Sequence, residues 1–403
     1  MGLDMQKFLS KVTFWKVVAA IILTAGIYST YVRCTQGLGG STHLSDEFPW
    51  GLWIGFDVLC GVGLAAGGFA LCATVHIFNV RKFEPILRPT ILTAFLGYLL
   101  VIVGLLYDLG RPFQIWHAII MWNPHSVMFE VAWCVMLYTA VLALEFAPIV
   151  LEKLNLTRGL KILKKLSIPI VIAGVLLSTL HQSSLGSLYL IAPYKLYALW
   201  YSPYLPLFFF VSSLAVGCAM VIFESSLSSR AFRKSLEMDL LTQIGKIAVV
   251  VLGLYLTMRF MDVYNRRILS LLFVPRAETY LYWAEMIVGV IAPLILLAFP
   301  AVRRSRSGLF LGAVMIILGF VMDRLNVTIT GLQASAATRY APSWMELSIT
   351  LAIVTAGFIA FSLAAKHLPV FEHETAAQEE LQLKAATEAW IQDLTLVSEH
   401  NQL

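Results

Sequence analysis

Long apolar runs separated by short polar segments recur from one end of the chain to the other. Ten of them approach or exceed the about 20 residues that a helix needs to cross a bilayer core. They lie near residues 13–32, 50–79, 89–107, 125–149, 166–185, 204–224, 241–262, 279–300, 308–325 and 344–365. The connections are short, so the pattern predicts an all-α polytopic membrane protein of about ten transmembrane helices in one compact bundle. The second to fifth runs also echo the sixth to ninth. Tyr107-Asp108 and Met261-Asp262 close corresponding runs, Glu130 and Glu285 open the next, and His181 and Asn326 each precede a glycine by five residues. This echo predicts two four-helix bundles, residues 48–187 and 204–332, as a parallel repeat with flanking helices. The transmembrane domain then covers residues 1–370, and residues 371–403 form a cytoplasmic acidic tail.

Composition narrows the class. Of 403 residues, 59% are hydrophobic and 13% are charged, against roughly 25% charged in soluble proteins. A mean hydropathy of +0.79 over the whole chain excludes a soluble enzyme, a coiled coil and a disordered chain. The net charge of +5 does not point to nucleic acid, because Lys and Arg fall in short clusters between apolar runs. Twenty of the 29 lie in alternate segments, including Lys7, Lys11, Lys16, Arg81, Lys82, Arg88 and the set Lys153, Arg158, Lys161, Lys164, Lys165. The positive-inside rule then places both termini in the cytoplasm. The tail from Glu372 onward holds seven of the 24 acidic residues. Five cysteines form no C-x-x-C pair, so no iron–sulfur, zinc or disulfide framework is expected. The N-terminal run lacks a small-residue cleavage site and reads as a retained helix.

Ionisable groups inside lipid are costly and mark function by default. With that topology, Asp57, Asp108, Glu130, His181, Arg259, Asp262, Glu285, Asp323, Arg324 and Glu346 all gather toward the outer ends of their runs, beside loop residues Arg111, His117 and His125. The inner half holds mainly His76, Glu145, Glu224 and Lys246. One polar cavity beneath the outer surface accounts for this asymmetry. The alternative for Asp108/Arg111, Arg259/Asp262 and Asp323/Arg324 is a set of interfacial salt bridges that lock the bundle.

Two strings stand out. In the second run, Gly61-Val-Gly63-Leu-Ala-Ala66 matches a dinucleotide-binding fingerprint, but that fingerprint needs a preceding strand and a crevice. Here the small residues are expected to let neighbouring helices approach closely. At the end of the fifth run, His181-Gln182-Ser183-Ser184 puts an imidazole, an amide and hydroxyls at a membrane interface, where they can hydrogen-bond a quinone carbonyl and pass protons to it.

With these strings, Trp50-Gly51-Leu52-Trp53-Ile54-Gly55-Phe56-Asp57, Tyr107-Asp108-x-Gly110-Arg111, Ser126-Val127-Met128-Phe129-Glu130, Leu144-Glu145-Phe146-Ala147-Pro148, Ile222-Phe223-Glu224 and Pro342-Ser343-Trp344-x-Glu346 resemble the NrfD/PsrC family of quinone-interacting membrane subunits. The nearest branch is HybB-like, the membrane subunits of hydrogenase-2-type nickel–iron hydrogenases, which also resembles DsrP. The resemblance runs from about residue 45 to about residue 365. It implies a non-autonomous subunit of a respiratory oxidoreductase in a bacterial or archaeal cytoplasmic membrane. Such a subunit binds no haem or iron–sulfur cluster itself. It exchanges electrons between a ferredoxin-like iron–sulfur partner on the extracytoplasmic face, with its catalytic subunits, and menaquinone or another quinone. The implied quinone pocket is at Asp57 and His181, with Gln182, Asp108, Arg111 and Glu130 around them. Glu145 and Glu224 become an inner proton pathway, or else helix-end carboxylates that snorkel. Asp57 departs from the histidine of the polysulfide-reductase branch, so the pocket's place carries over better than its individual hydrogen bonds.

Two other classes compete. A di-haem b-type cytochrome needs histidine pairs in two layers, and the inner layer offers only His76; a single outer haem b stays open. A secondary transporter places its charged site near the midplane, whereas these charges crowd one side.

Overall fold

The computed structural model describes residues 14–72, 80, 83–232 and 236–371. His76, the lysines and arginines at 7, 11, 81, 82, 233, 234 and 384, and the acidic tail lie outside the described residues. No strand occurs among those described.

Eight helices are long and apolar enough to cross a membrane by length and composition. We number them with two others in chain order. These are α1 Phe14–Gln36, α3 Glu84–Asp108, α4 Val127–Lys153, α6 Leu205–Phe232, α7 Met238–Asn265, α8 Ala277–Ala298, α9 Arg306–Gln333 and α10 Trp344–His367. The remaining two are α2, which starts as a π-helical stretch Trp53–Cys60 and continues through Gly61–Leu64 and Gly67–Cys72, and α5, Thr157–Ser187. Each of the ten expected runs therefore holds helix among the described residues; residues 73–79 of the second lie outside them. Helix α5 has 31 residues, about 46 Å at 1.5 Å per residue.

Helices α2 to α5 pack as one group and α6 to α9 as another, with α6 also against α2 and α5, and α9 against α2. Helices α1 and α10 pair with each other, and α10 also packs on α3. That outer pair is antiparallel, because Ser29 Oγ meets Ser348 Oγ at 2.7 Å while Gly26, one turn earlier in α1, faces Ala352, one turn later in α10. Phe14 and His367 consequently lie at the same end of the bundle.

Small residues set the helix spacing, as expected for the second run. A Cβ on Gly67 would stand 2.9 Å from the Gly217 carbonyl of α6, and one on Gly68 2.6 Å from Ala94 Cβ of α3. The closest crossing joins Gly289 of α8 to Gly319 of α9, where a Cβ on either would overlap the partner backbone. Without a hydrophobic force between helices in lipid, such contact supplies the association. Gly319→Ala is expected to lower stability by about 1–3 kcal/mol in thermal melts of the detergent-solubilised protein. Gly253→Ala, whose Cβ would meet nothing within 4 Å, is expected to be neutral or slightly stabilising.

Candidate functional site

The His-Gln-Ser-Ser string lies in the last two turns of α5 and ties that helix to every other helix of the first group. His181 Nδ1 is 2.9 Å from Tyr98 Oη of α3. Gln182 Nε2 donates to the Val62 carbonyl of α2 at 3.0 Å. Ser184 Oγ is 2.5 Å from Glu130 Oε1 of α4 and 2.7 Å from the Leu180 carbonyl. His181, Gln182 and Ser184 are all buried. A helix that bonds three different neighbours within four residues is fixed in both rotation and height.

One polar atom at this node has no partner: His181 Nε2 is buried and unbonded. Buried polar atoms are rarely left so, and this one belongs to a side chain whose other nitrogen is already held. Tyr98 Oη as donor to Nδ1 puts the neutral ring's proton on Nε2, which makes it a donor for a carbonyl oxygen. In that tautomer Nε2 has the chemistry to hold one carbonyl oxygen of a quinone head group.

From His181 a file of polar side chains descends between α3, α4 and α5. Tyr98 meets Tyr138 edge-on at 4.6 Å between centroids, and Tyr138 Oη and Ser178 Oγ are both buried without partners. Below them Glu145 Oε1 would lie 3.2 Å from a Cβ on Gly174, and its Oε2 accepts from Cys72 Sγ at 3.6 Å. Glu224 of α6 is half-buried against Thr93. No direct hydrogen bond or ion pair joins Glu224 to Glu145.

Asp57 is held on a different face. It sits in the π-helical turn of α2, buried, and accepts a hydrogen bond from Thr350 Oγ1 of α10 at 2.6 Å. Nothing bonds it to His181. Asp108 ends α3 with its Oδ1 buried and unpartnered. Its neighbouring charge is Arg33 of α1, whose Nε and Nη2 donate to the Tyr107 and Leu109 carbonyls at 2.9 and 2.7 Å. The expected Asp108/Arg111 pair does not form; Arg111 is exposed at the start of the following loop.

The second group encloses a separate cluster. Arg259 lies 3.5 Å from Glu285 and 3.8 Å from Asp323 and is faced by the rings of Phe208, Tyr255 and Tyr282. Arg324 pairs with Asp323 and donates to Ser212 Oγ at 2.8 Å. Glu285 Oε2 accepts from Trp200 Nε1 at 3.0 Å and Asn326 Nδ2 at 2.9 Å. Asp262, expected beside Arg259, instead takes Arg266 at 2.6 Å and Ser202 at 2.7 Å. A cavity of about 30 Å³ opens beside Tyr255, Glu285 and Asp323, room for a water or two.

By their hydrogen bonds and ion pairs, the outer polar groups fall into three sets: His181 with Tyr98, Gln182 and Ser184–Glu130; Asp57 with Thr350, near Asp108 and Arg33; and the Arg259–Glu285–Asp323–Arg324 network. Tyr98, Tyr138, Arg33 and Thr350 were not singled out in the sequence. A tyrosine alone in an apolar span was the available signal, since a buried phenol seeks a partner.

A polytopic helical bundle with a buried imidazole node and carboxylates within its helices defines an integral membrane protein with ionisable groups inside it. Comparison with known proteins is more specific: the family model "Polysulphide reductase, NrfD" matches residues 40–337, and the chain belongs to the NrfD family. It is 40% identical to a Nitratidesulfovibrio vulgaris protein over 90% of this chain and 96% of that one. It is 35% identical to the probable Ni/Fe-hydrogenase 2 b-type cytochrome subunit of Escherichia coli, over 84% and 87%. With the integral membrane subunit of menaquinone reductase from N. vulgaris it shares 28% identity over 91% and 93%.

Proposed function

We propose that this chain is the quinone-reactive membrane subunit of a respiratory oxidoreductase, exchanging electrons between an extracytoplasmic iron–sulfur subunit and menaquinone or a related quinone. The observation that carries the reading is His181 Nε2, a buried unpartnered ring nitrogen at the node where α2 to α5 meet. The relatives named as a hydrogenase subunit and a menaquinone reductase subunit support the class of complex. The Lys/Arg bias supports placing both termini in the cytoplasm, which puts His181 near the extracytoplasmic side.

In this reading His181 holds the quinone head group, Tyr98 fixes the imidazole, and Glu130, Gln182 and Ser184 fix α5. A bound quinone supplies the two-electron chemistry and the oxygen atoms that gain or lose protons. The protein's own task is to carry those protons. Tyr98, Tyr138, Ser178 and Glu145 form the file that leads inward, with water between the unpartnered hydroxyls, and Glu224 lies at its side. Asp57 and Asp108 serve the opposite direction, toward the outer surface. Arg111, exposed in the loop, belongs to the docking face for the iron–sulfur subunit in this reading.

The test is a quinone-coupled assay on the intact complex, with inhibitor titration and photoaffinity labelling by a quinone analogue. Labelling that clusters away from α2 to α5 would overturn the site. The proton file is checked in vesicles: Glu145→Gln is expected to slow proton uptake during quinone reduction about tenfold or more, and Glu224→Gln less. Unchanged uptake in the double variant would remove the inward route.

The name of the E. coli relative, a b-type cytochrome subunit, favours a second reading, a haem b site. Among the described residues His181 is the one buried histidine, and two-histidine ligation needs another. A Soret band in the purified protein that is lost in His181→Ala would establish haem; a quinone site predicts no such band.

A further inference from the structure

The family match ends at residue 337, yet the hydrogen-bond partner of Asp57 lies beyond it. Thr350 is in the second turn of α10, buried, and its Oγ1 donates to Asp57 Oδ2 at 2.6 Å. On the α3 side a Cβ on Gly104 would stand 2.6 Å from Asp57 Cβ, so α3 presents bare backbone there and α10 is free to supply the contact.

The height of Thr350 relative to Asp57 is set by a latch one turn above. Ser343 and Glu346 form a capping box at the start of α10. Tyr340 Oη donates to Glu346 Oε2 at 3.1 Å and accepts from the Leu52 N–H at 2.8 Å. Trp53 Nε1 donates to the Glu346 carbonyl at 3.3 Å. The phenol of Tyr340, in the loop before α10, is pushed well above its usual pKa, first by burial, so it stays a donor. The first turn of α2 and the first turn of α10 are thereby joined, which brings Asp57 and Thr350 level. On its other face α10 is fastened to α1 through Ser29 and Ser348.

We propose that Thr350 is a positioning residue for Asp57: it occupies Oδ2 and fixes the carboxyl rotamer, leaving Oδ1 as the oxygen that takes and gives the proton. Helix α10 is then part of the outward proton route and not merely packing around it. The proposal rests on the reading that Asp57 carries protons between the quinone site and the outer surface.

The test uses the intact complex and four variants. Asp57→Asn identifies the Asp57 carboxyl band in redox-induced infrared difference spectra and is expected to lose turnover. Thr350→Val is expected to shift that band and lower kcat about tenfold or more, the scale of a lost hydrogen bond to a charged group, with little change in KM for quinone. Thr350→Ser restores band and kcat. Ser348→Ala, which removes the α1–α10 bond and a bond back to the Met345 carbonyl but none to Asp57, leaves both as in the parent. A Thr350→Val complex with parental band and kcat overturns the proposal, as does a Ser348→Ala complex with the same loss. If Asp57→Asn itself keeps full turnover, the role of Asp57 falls and the proposal with it. If Asp57→Asn is inactive and Thr350→Val is not, only the positioning role falls.

Discussion

Replacing His181 by alanine is expected to lower quinone-coupled turnover of the intact complex about a hundredfold while the subunit still assembles. The cavity left is polar on one side, where Tyr98 Oη loses its partner at 2.9 Å, and water can fill it, so the fold survives. In the proposed reading the Nε2 group that holds the quinone is lost, and with it the link to the tyrosine file. Tyr98→Phe separates the two roles. It keeps the ring packing on Tyr138 and the imidazole, but frees Nδ1, so the proton on Nε2 is no longer enforced. A smaller loss, about tenfold, is expected, with sensitivity to quinone-site inhibitors retained. Steady-state assays of both variants with a water-soluble quinone check the order. Equal turnover in His181→Ala and the parent would remove His181 from the chemistry.

The largest effect on stability is expected at Arg259. Its guanidinium is buried between Glu285 and Asp323 under three aromatic rings, and Nε has no partner. Removing one partner of a buried ion network leaves uncompensated charge at a cost of about 3–5 kcal/mol. Arg259→Met should therefore give little assembled complex and a markedly lower melting temperature in detergent. Adding Glu285→Gln to Arg259→Met removes a charge of opposite sign and should recover much of the loss, because Trp200 and Asn326 still have an amide oxygen to bond. Non-additivity of that kind is the signature of direct coupling. An Arg259→Met protein as stable as its parent would show that the network does not hold the second group together.

Ten apolar runs were legible as ten helices because a bilayer leaves the backbone few ways to satisfy itself. The outer crowding of charge was legible for the same reason, since depth sets the cost. What one-dimensional pattern does not contain is azimuth. Asp57 and His181 were placed in one pocket by the family resemblance; in the folded chain the hydrogen bond of Asp57 goes to α10 and that of His181 to α3. Neighbours in sequence misled in the same way. Arg259 and Asp262 are three residues apart, yet Arg259 pairs across helices with Glu285 and Asp323, while Asp262 takes Arg266 one turn further along. The His-Gln-Ser-Ser string was the exception. Its four polar residues occupy one turn, so they radiate in all directions and had to meet several helices.

The π-helical turn at Trp53–Cys60 has a consequence for the whole of α2. One residue more or less in a helix advances everything beyond it by about 100°. Above the turn α2 is locked to α10 through Leu52 and Trp53; below it, Gly67 is locked against Gly217. These two locks face different partners, and the number of residues between them sets the angular phase that lets both close. Removing one residue between Gly55 and Cys60 would leave each lock intact by composition and put them out of phase, so one must open.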